Sequence, residues 1–293
     1  MKILRPTSDL LEELKRIRSR MRPGQTIGFV PTMGALHRGH AELIRRARKT
    51  CDTVVVSVFV NPLQFGPAED LAKYPRDLTA DAGLCRRAGA DILFAPDAKS
   101  FLKMKSLVSL RASASLKKYL CGPVRPGHFD GVVTIVAHFF RLIRPDRAFF
   151  GLKDYQQYVI LDDMTRRCFG AKPEVVPVET VREKSGLAMS SRNRYLSPAE
   201  KKTAPVLYRA LNRARRQILI GGPKDTALTA ARALESLRMV LTASGPFRVQ
   251  YLSICNARTL RPLAGPLRGG RKKILIAAAV YLGGTRLIDN VLV

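Results

Sequence analysis

The sequence predicts an α/β fold, with a Rossmann-like parallel sheet followed by a smaller α+β domain at the carboxyl-terminal end. Apolar runs at residues 26–30 and 53–60 flank a segment at 41–48 that has helical spacing, which is typical of a βαβ unit. In the last third of the chain the pattern changes to two helices followed by two strands. We therefore predict two domains, at residues 1–180 and 181–293.

The other elements are predicted from local signals. Apolar or β-branched runs bounded by Gly, Pro or Asp predict strands, and longer segments with helical spacing predict helices. In the first domain these signals predict helices at 8–21, 77–88 and 132–143 and strands at 92–94, 147–150 and 174–178. In the second domain they predict helices at 198–220 and 226–242 and strands at 248–255 and 273–281.

Residues 98–116 carry the weakest pattern in the chain. A short strand at 106–110 is the only regular element that the sequence indicates there.

The chain is strongly basic. Among its 293 residues, 51 Lys and Arg against 23 Asp and Glu give a formal net charge of +28. Such a charge attracts polyanions, yet the basic residues are dispersed and no nucleic-acid-binding motif is present. We therefore expect no specific nucleic-acid partner, while weak, salt-sensitive binding remains open.

Hydropathy and cysteine spacing indicate a cytoplasmic protein without a membrane partner. The longest apolar stretch, at residues 274–282, is too short to span a bilayer, and no signal peptide is visible. The five cysteines are scattered and lack C-x-x-C spacing, which favours a reducing compartment and argues against a zinc site. We expect no protein-bound metal.

Two histidines lie where the first predicted strand passes into a helix. His37 and His40 flank Gly39, and ligands of parallel sheets bind at such strand ends, where helix N-termini favour anions. Protonated imidazoles there could donate hydrogen bonds to the phosphates of a nucleoside triphosphate. The alternative is a plain turn with two solvent-exposed histidines.

Polar side chains also follow two other predicted strands. Gln64, an amide after the second strand, could read hydroxyl and carboxylate groups of a small substrate. Lys153 suits a phosphate, Asp154 suits ribose hydroxyls, and Gln157 lies one helical turn further on. The alternatives are an Asn-Pro turn near Gln64 and a surface ion pair at Lys153 and Asp154.

The segment at residues 183–193 is predicted to be a mobile loop. Ser190, Ser191 and Arg192 place two hydroxyls and a guanidinium side by side, which makes a second candidate phosphate site.

Six strings taken together resemble the pantothenate synthetase (pantoate–β-alanine ligase, AMP-forming) family. They occur in the order found in that family and extend over most of the chain. The strings are PTMGALHRGH (31–40), FVNPLQFGP (59–67), RPGHF (125–129), GLKDYQQ (151–157), LAMSSRN (187–193) and TRLIDN (285–290).

The resemblance implies a fold, a reaction and an assembly. The fold would be a nucleotidyltransferase-type Rossmann domain with a smaller lid-like domain, and the protein would form a homodimer. The pantoate carboxylate would attack the α-phosphate of ATP and release pyrophosphate. The amine of β-alanine would then attack the pantoyl adenylate and release AMP. Mg²⁺ would arrive with ATP, coordinated largely by phosphate oxygens.

The resemblance also implies roles for individual residues. Catalysis would depend on His37, His40, Lys153 and Arg192. ATP would be bound by Met33, His37, His40, Gly151, Lys153, Asp154, Val181, Met189, Ser190, Ser191 and Arg192. Pantoate would be bound by Gln64 and Gln157.

Some positions depart from the family pattern, and two other functions stay open. Leu152 replaces a polar residue, Ser185 an aspartate and His138 a common lysine, and residues 101–105 replace a Met-Tyr-Pro string. One alternative is another HxGH nucleotidyltransferase, which would not call for Gln64 and Gln157. The other is a nucleic-acid-associated protein that uses the net positive charge.

Overall fold

The structure is a computed structural model that describes residues 1–67, 69, 71–220, 230–264 and 274–293. The chain divides into two compact units. The first comprises Met1–Ser113, Arg125–Leu152 and Gln157–Glu179, and the second comprises Ala114–Val124, Lys153–Gln156 and Thr180–Val293. The second unit thus includes two short segments that precede residue 180. A division into domains at residue 180 remains our proposal.

The first unit contains a six-stranded parallel sheet, which confirms the predicted fold class. Its strands are β1 (Lys2–Leu4), β2 (Ile27–Thr32), β3 (Thr53–Val58), β4 (Ile92–Phe94), β5 (Arg147–Gly151) and β6 (Glu174–Val178). Their order in the sheet is β1-β4-β3-β2-β5-β6, and every pair is parallel. β1 is the one strand of this sheet that the sequence analysis missed, since Lys2–Leu4 is a mostly exposed edge strand and lacks the fully buried apolar run that identifies β4.

Helices connect these strands. They are α1 (Thr7–Arg18), α2 (Arg38–Thr50), α3 (Leu78–Ala88), α4 (Ala98–Leu102), α5 (Ala114–Lys117), α6 (His128–Ile143) and α7 (Tyr155–Phe169). α5 and the first two residues of α7 belong to the second unit. None of the helices in the described part of the chain combines the length and apolar character needed to span a bilayer.

The strand order places a topological switch point between β2 and β5. β2 pairs with β3 on one side and with β5 on the other. From β2 the chain builds the sheet in one direction through β3 and β4, and later in the opposite direction through β5 and β6. In open parallel sheets, ligands bind outside the carboxyl ends of the strands at this point. The turn that follows β2 therefore lies at the edge where a ligand site is expected.

Aromatic packing fixes α4 and α6 against the sheet. The ring of Phe101 lies 5.0 Å from that of Phe59 and 5.1 Å from that of Phe139, measured between centroids. His138, where a lysine is common in the family, is fully buried with its ring 4.9 Å from Phe101. Burial, ahead of the nearby charge of Arg141, lowers the pKa of His138.

The predicted strand at 106–110 is wrong. These residues form no strand, because side chains of α6 satisfy the neighbouring backbone groups instead. Thr134 Oγ1 accepts from the Leu110 N–H at 2.9 Å and donates to its carbonyl at 3.1 Å. Asp130 accepts from the Ala112 N–H at 2.8 Å.

The second unit combines helices with a small sheet, which confirms the predicted α+β class, and the strands of this sheet are antiparallel. Its strands β7 (Phe247–Asn256), β8 (Ile274–Leu282) and β9 (Thr285–Leu292) pair in that order. Its longer helices are α9 (Val206–Ile220) and α10 (Ala230–Ser244). Alternate residues of β8, among them Ile276 and Val280, join a core with residues of both helices. β9 was not predicted, and residues 226–229 and 273 of the predicted elements lie outside the described residues.

The single helix predicted at 198–220 is two helices. α8 (Pro198–Thr203) begins at a capping box in which Ser197 and Glu200 exchange hydrogen bonds. α9 begins only after Pro205, whose ring nitrogen has no proton to continue the hydrogen-bond ladder.

Candidate active site

The turn after β2 ends in two histidines that cap the next helix. His37 is the N-cap residue of α2, and its Nδ1 accepts a hydrogen bond from the Gly39 N–H at 3.1 Å. Nδ1 of His40 in turn accepts from the backbone N–H of His37 at 3.2 Å. The two ring centroids lie 4.1 Å apart. His37 thus lies immediately before α2 and His40 lies in its first turn, at the junction of strand and helix that the sequence predicts.

This reciprocal cap fixes the protonation of both rings. A ring nitrogen that accepts a hydrogen bond from an N–H carries no proton, so the proton of each ring is on Nε2. We infer that His37 and His40 are neutral while this cap is formed, and protonated imidazoles at bound phosphates stay an untested prediction. Each ring keeps Nε2–H as its donor, and neutral N–H donors beside a helix N-terminus can bind an anion.

A buried carboxylate of α3 holds the same turn. Asp81, only 3% exposed, accepts from the backbone N–H groups of Ala35 at 3.1 Å and Leu36 at 2.7 Å. Ala35 has a φ of +50°, a region that L residues rarely adopt. A Cβ built on Gly34 would lie 2.9 Å from Asp81 Oδ2, so the turn and the carboxylate are closely packed. Asp81 thus determines the path of the backbone into His37.

The loop after β3 presents two amides, and one of them reaches the turn after β2. Asn61 Oδ1 accepts from the Leu63 N–H at 3.0 Å, and its Nδ2 donates to Gln64 Oε1 at 3.1 Å. Gln64 Nε2 lies 2.8 Å from Sδ of Met33. A residue predicted to bind pantoate is therefore in contact with one predicted to bind ATP.

Two further predicted residues lie in the first unit. Gly151 ends β5, at the same edge of the sheet as the turn after β2, because the two strands are parallel neighbours. Among the described residues, no atom outside Gly151 and its two chain neighbours lies within 4 Å of a Cβ built on Gly151. Gln157 is half-buried in the first turn of α7.

Lys153 is fixed by the last strand of the second unit. Its backbone carbonyl accepts from Asn290 Nδ2 at 2.9 Å, and its Nζ lies 3.5 Å from Asp154 Oδ2. The Lys153 side chain is 20% exposed and that of Asp154 is 48% exposed. Asn290 belongs to β9, so one residue of the TRLIDN string positions the backbone of Lys153.

Arg182 and Asp289 form a largely buried ion pair in the second unit. Arg182 donates from Nη1 and Nη2 to the two carboxylate oxygens of Asp289 at 2.6 and 2.9 Å. The guanidinium also lies over the ring of Tyr208 at 3.5 Å and donates to the Gly186 carbonyl at 3.2 Å. A planar, bidentate guanidinium stacked on an aromatic ring is a contact that lysine cannot reproduce.

This ion pair anchors a hairpin where the sequence predicts a mobile loop. Val181 and Met189, both predicted to bind ATP, pair through a backbone hydrogen bond of 3.0 Å. Asn193 Nδ2 donates to Glu183 Oε1 at 3.0 Å and to the Ala188 carbonyl at 3.1 Å. The segment thus has regular hydrogen bonds, while its closure over a ligand remains a prediction.

The predicted phosphate cluster begins a short 3-10 helix. Ser190 is the N-cap of Ser191–Tyr195, and its Oγ accepts from the Arg192 N–H at 3.3 Å. The three residues of the cluster, Ser190, Ser191 and Arg192, are all half-buried. Their backbone and side chains are therefore brought together at one helix start.

A cluster of polar side chains in the second unit was not predicted. Cys121 Sγ lies 3.2 Å from the hydroxyl of Tyr251 and 3.3 Å from Nη2 of Arg286, whose Nε donates to Gln250 at 2.9 Å. Burial, followed by the neighbouring Cys121, raises the pKa of Tyr251 well above its usual value. Arg286 lies in the TRLIDN string, which was the one available signal for this cluster.

The predicted site residues are distributed over both units. The first unit contains Met33, His37, His40, Gln64, Gly151 and Gln157. The second contains Lys153, Asp154, Val181, Met189, Ser190, Ser191 and Arg192. Contacts join Met33 to Gln64, His37 to His40, Lys153 to Asp154, Val181 to Met189 and Ser190 to Arg192.

Fold and site together define a class: an α/β protein of Rossmann-like topology with an HxGH turn at the carboxyl end of a central strand. Comparison with known proteins identifies the family within this class. The family model for pantoate–β-alanine ligase matches residues 2–292. This chain therefore belongs to the pantoate–β-alanine ligase family, which confirms the resemblance seen in the sequence.

Individual relatives extend over nearly the whole chain. The pantothenate synthetase of Heliobacterium modesticaldum is 47% identical over 288 residues, which cover 97% of this chain and 99% of that protein. A crystal structure of pantothenate synthetase from Thermus thermophilus matches with a TM-score of 0.87 and 43% identity, covering 99% of each chain. Pantoate–β-alanine ligase from Francisella tularensis, complexed with β-γ ATP and β-alanine, matches with a TM-score of 0.77 and 31% identity, covering 100% of this chain and 97% of that one.

Proposed function

We propose that this protein condenses pantoate with β-alanine in an ATP-dependent reaction that yields pantothenate, AMP and pyrophosphate. In the first step a pantoate carboxylate oxygen bonds to the α-phosphorus of ATP, and the bond to the β-phosphate oxygen breaks. In the second step the neutral amine of β-alanine attacks the acyl carbon of the pantoyl adenylate. AMP leaves with the electron pair, and the new amide nitrogen loses its extra proton to solvent.

The reciprocal cap of His37 and His40 is the observation that carries the first step. Both rings keep Nε2–H as donor at the start of α2, where backbone N–H groups and the helix dipole also favour negative charge. Charge develops on the leaving pyrophosphate, and preorganised donors stabilise it without reorganisation. This reaction needs positioning and charge stabilisation and no covalent nucleophile from the protein.

We assign the remaining phosphate contacts to cations and hydroxyls of the second unit. Lys153 would act as a point charge, and the guanidinium of Arg192 would bind phosphate oxygens through its planar fork. Ser190 and Ser191 would add hydroxyl donors beside the N–H groups that begin their short helix. The adenosine part of ATP would contact Met33, Gly151, Asp154, Val181 and Met189.

Pantoate is assigned to Gln64 and Gln157, because amides bind hydroxyl and carboxylate groups without the charge that phosphates favour. The contact between Gln64 and Met33 supports this assignment, since the acyl acceptor must lie beside the nucleotide. ATP enters as its Mg²⁺ complex, with the ion held largely by phosphate oxygens. A homodimer and a cytoplasmic location are further parts of the proposal.

ATP–pyrophosphate exchange that depends on pantoate tests the proposed function. Wild-type protein should exchange labelled pyrophosphate into ATP only when pantoate is present. His40→Ala should reduce this exchange on the order of 10²–10³-fold, as expected for the loss of one preorganised donor. Arg38→Ala removes an exposed side chain from the same helix turn and serves as the control.

The outcomes separate the alternatives. Exchange with a phosphate ester in place of pantoate would identify another HxGH nucleotidyltransferase. Folded wild-type protein with no exchange under either condition would refute the proposal, as would near-normal exchange by His40→Ala.

A further inference from the structure

The loop that carries Gln64 is pressed against the start of α6. A Cβ on Gly131 would lie 2.1 Å from the Leu63 carbonyl oxygen and 2.8 Å from the backbone nitrogen of Gln64, so only glycine allows this approach. Asn61 Nδ2 adds a hydrogen bond of 3.1 Å to the Gly131 carbonyl. The backbone of Gln64 is therefore determined by α6 as well as by β3.

His128, the first residue of α6, contacts the same backbone. It is 7% exposed, and its Nδ1 lies 2.8 Å from the carbonyl oxygen of Gln64. Its other nitrogen, Nε2, lies 2.9 Å from Nη1 of Arg125. A carbonyl only accepts and a guanidinium only donates, so Nδ1 carries the proton and Nε2 accepts. His128 is thus neutral, in the tautomer opposite to that of His37 and His40.

Arg125 is itself held by a carboxylate. Its Nε and Nη2 donate to the two oxygens of Glu69 at 2.7 and 2.6 Å. The Arg125 and Glu69 side chains are 16% and 26% exposed, so this bidentate pair is screened from water on most sides. A bidentate pair fixes the plane of the guanidinium, and with it the direction of the N–H that reaches His128.

We propose that Glu69, Arg125 and His128 form a relay that positions Gln64 for pantoate. Glu69 orients Arg125, Arg125 fixes the tautomer of His128, and His128 holds the Gln64 carbonyl. The side-chain amide of Gln64 is then directed towards Met33 by Asn61. This inference rests on the proposed function, because it takes Gln64 to be a pantoate ligand. In this inference the three relay residues are positioning residues, which act on the substrate through Gln64.

Two substitutions of His128 separate positioning from general stability. The side-chain amide nitrogen of His128→Asn can replace Nδ1–H as donor to Gln64, whereas His128→Leu has no donor. Loss of one hydrogen bond should raise the pantoate KM of the exchange reaction about tenfold in His128→Leu. The ATP KM should change less than about twofold, and His128→Asn should recover most of the pantoate KM.

Arg125 provides a second pair of variants in case His128→Leu does not fold. Arg125→Met should raise the pantoate KM in the same selective way, and Arg125→Lys should restore it only in part, because lysine lacks the planar fork. Arg141→Met removes an exposed arginine from the other end of α6 and should leave the pantoate KM unchanged. Circular dichroism melts verify that each variant is folded.

Nitrogen NMR of protein labelled at histidine tests the relay without any activity measurement. The His128 resonances, identified by their loss in His128→Asn, should show a protonated Nδ1 and an unprotonated Nε2. Glu69→Gln should lower the population of this tautomer, because the plane of the Arg125 guanidinium is then less firmly held.

Each result decides between the inference and the function on which it rests. Wild-type protein without pantoate-dependent exchange would refute the proposed function and the relay together. Active wild-type protein would refute the relay alone if folded His128→Leu and Arg125→Met kept a normal pantoate KM. The relay alone would also be refuted if the KM for ATP and the KM for pantoate rose equally, or if His128 carried its proton on Nε2.

Discussion

The carboxylate of Asp81 accepts a hydrogen bond of 2.7 Å from the backbone N–H of Leu36, one residue before His37. A second hydrogen bond, of 3.1 Å, joins it to Ala35, whose φ of +50° is unfavourable for an L residue. Two charge-assisted hydrogen bonds to a buried carboxylate can stabilise such a backbone. The orientation of the capping histidines therefore depends on a side chain of α3.

Asp81→Asn should lower the exchange rate about tenfold, because one carboxylate oxygen becomes an NH₂ that faces a backbone N–H donor. Asp77→Ala is the matched control, since Asp77 caps the same helix through the Ala80 N–H at 2.9 Å. It should cost about 1 kcal/mol of stability while leaving the rate of folded protein unchanged. Equal rate losses in the two variants would contradict a specific role for Asp81.

The neutral state of the capping histidines is open to direct measurement. In histidine-labelled protein near neutral pH, His37 and His40 should both show a protonated Nε2 and an unprotonated Nδ1. Single substitutions, His37→Ala and His40→Ala, assign the two signals. Each should also disturb the remaining ring, because the cap is reciprocal. Signals of doubly protonated imidazolium in the wild type would refute the assignment.

The sequence predicted most of this fold because its signals are local. Apolar or β-branched runs and helical spacing located β2 to β6, α2, α3 and α6 to within a few residues. The strand predicted at 106–110 failed for a non-local reason, since its backbone partners are side chains of Thr134 and Asp130 on α6. β1 is a mostly exposed edge strand without a buried apolar run, and its pairing with β4 is a tertiary contact.

The sequence predicted the residues of the candidate site, but it did not predict the other side chains that hold those residues in place. His37 and Gln64 follow from motifs that are continuous in sequence. Asp81 lies in an ordinary helix and Arg125 in a glycine-rich turn. Neither local pattern indicates which backbone groups these side chains contact. Hydrogen bonds between residues more than 40 positions apart have no periodic signature, so supporting residues of this kind could be identified only in the structure.

Limited proteolysis tests whether the hairpin at residues 183–193 closes over ligands. The Lys184 side chain is exposed, while Arg182 is paired with Asp289 and stacked on Tyr208. Within this hairpin, trypsin should therefore cut after Lys184 before it cuts after Arg182. ATP with pantoate should slow the cut after Lys184 if the segment closes. Asp289→Asn should expose the bond after Arg182 to faster cleavage. Equal cleavage with and without ligands, in protein that is otherwise resistant, would exclude closure.

The exchange rate of Arg192→Lys tests the role of the same segment in catalysis. The substitution keeps the charge but loses the planar fork, so we expect a lower exchange rate at saturating ATP and pantoate. Lys184→Arg, on the exposed turn of the hairpin, is the control and should leave the rate unchanged. A normal rate in Arg192→Lys would mean that only the charge of Arg192 matters.

Glu13 should make stability depend on pH in the acid range. Its carboxylate accepts from Arg16 at 2.5 and 3.0 Å and from Lys2 at 2.6 Å. Hydrogen bonds from Arg16 first, and then from Lys2, lower its pKa from 4.5 to about 2. A carboxyl with a lowered folded-state pKa stabilises the native state above its unfolded pKa and loses that contribution as pH falls through the folded value.

Glu13→Gln should therefore reduce the free energy of unfolding most at neutral pH. The difference from wild type should shrink as pH falls from 4.5 towards 2, because the wild-type carboxyl becomes protonated over that range. Denaturant unfolding at pH 7, 4 and 3 measures the difference. Glu12→Gln alters an exposed carboxylate of the same helix and should show a smaller, flatter difference. If the Glu13→Gln deficit were the same at every pH, the contacts with Arg16 and Lys2 would not lower the pKa of Glu13 in the folded state.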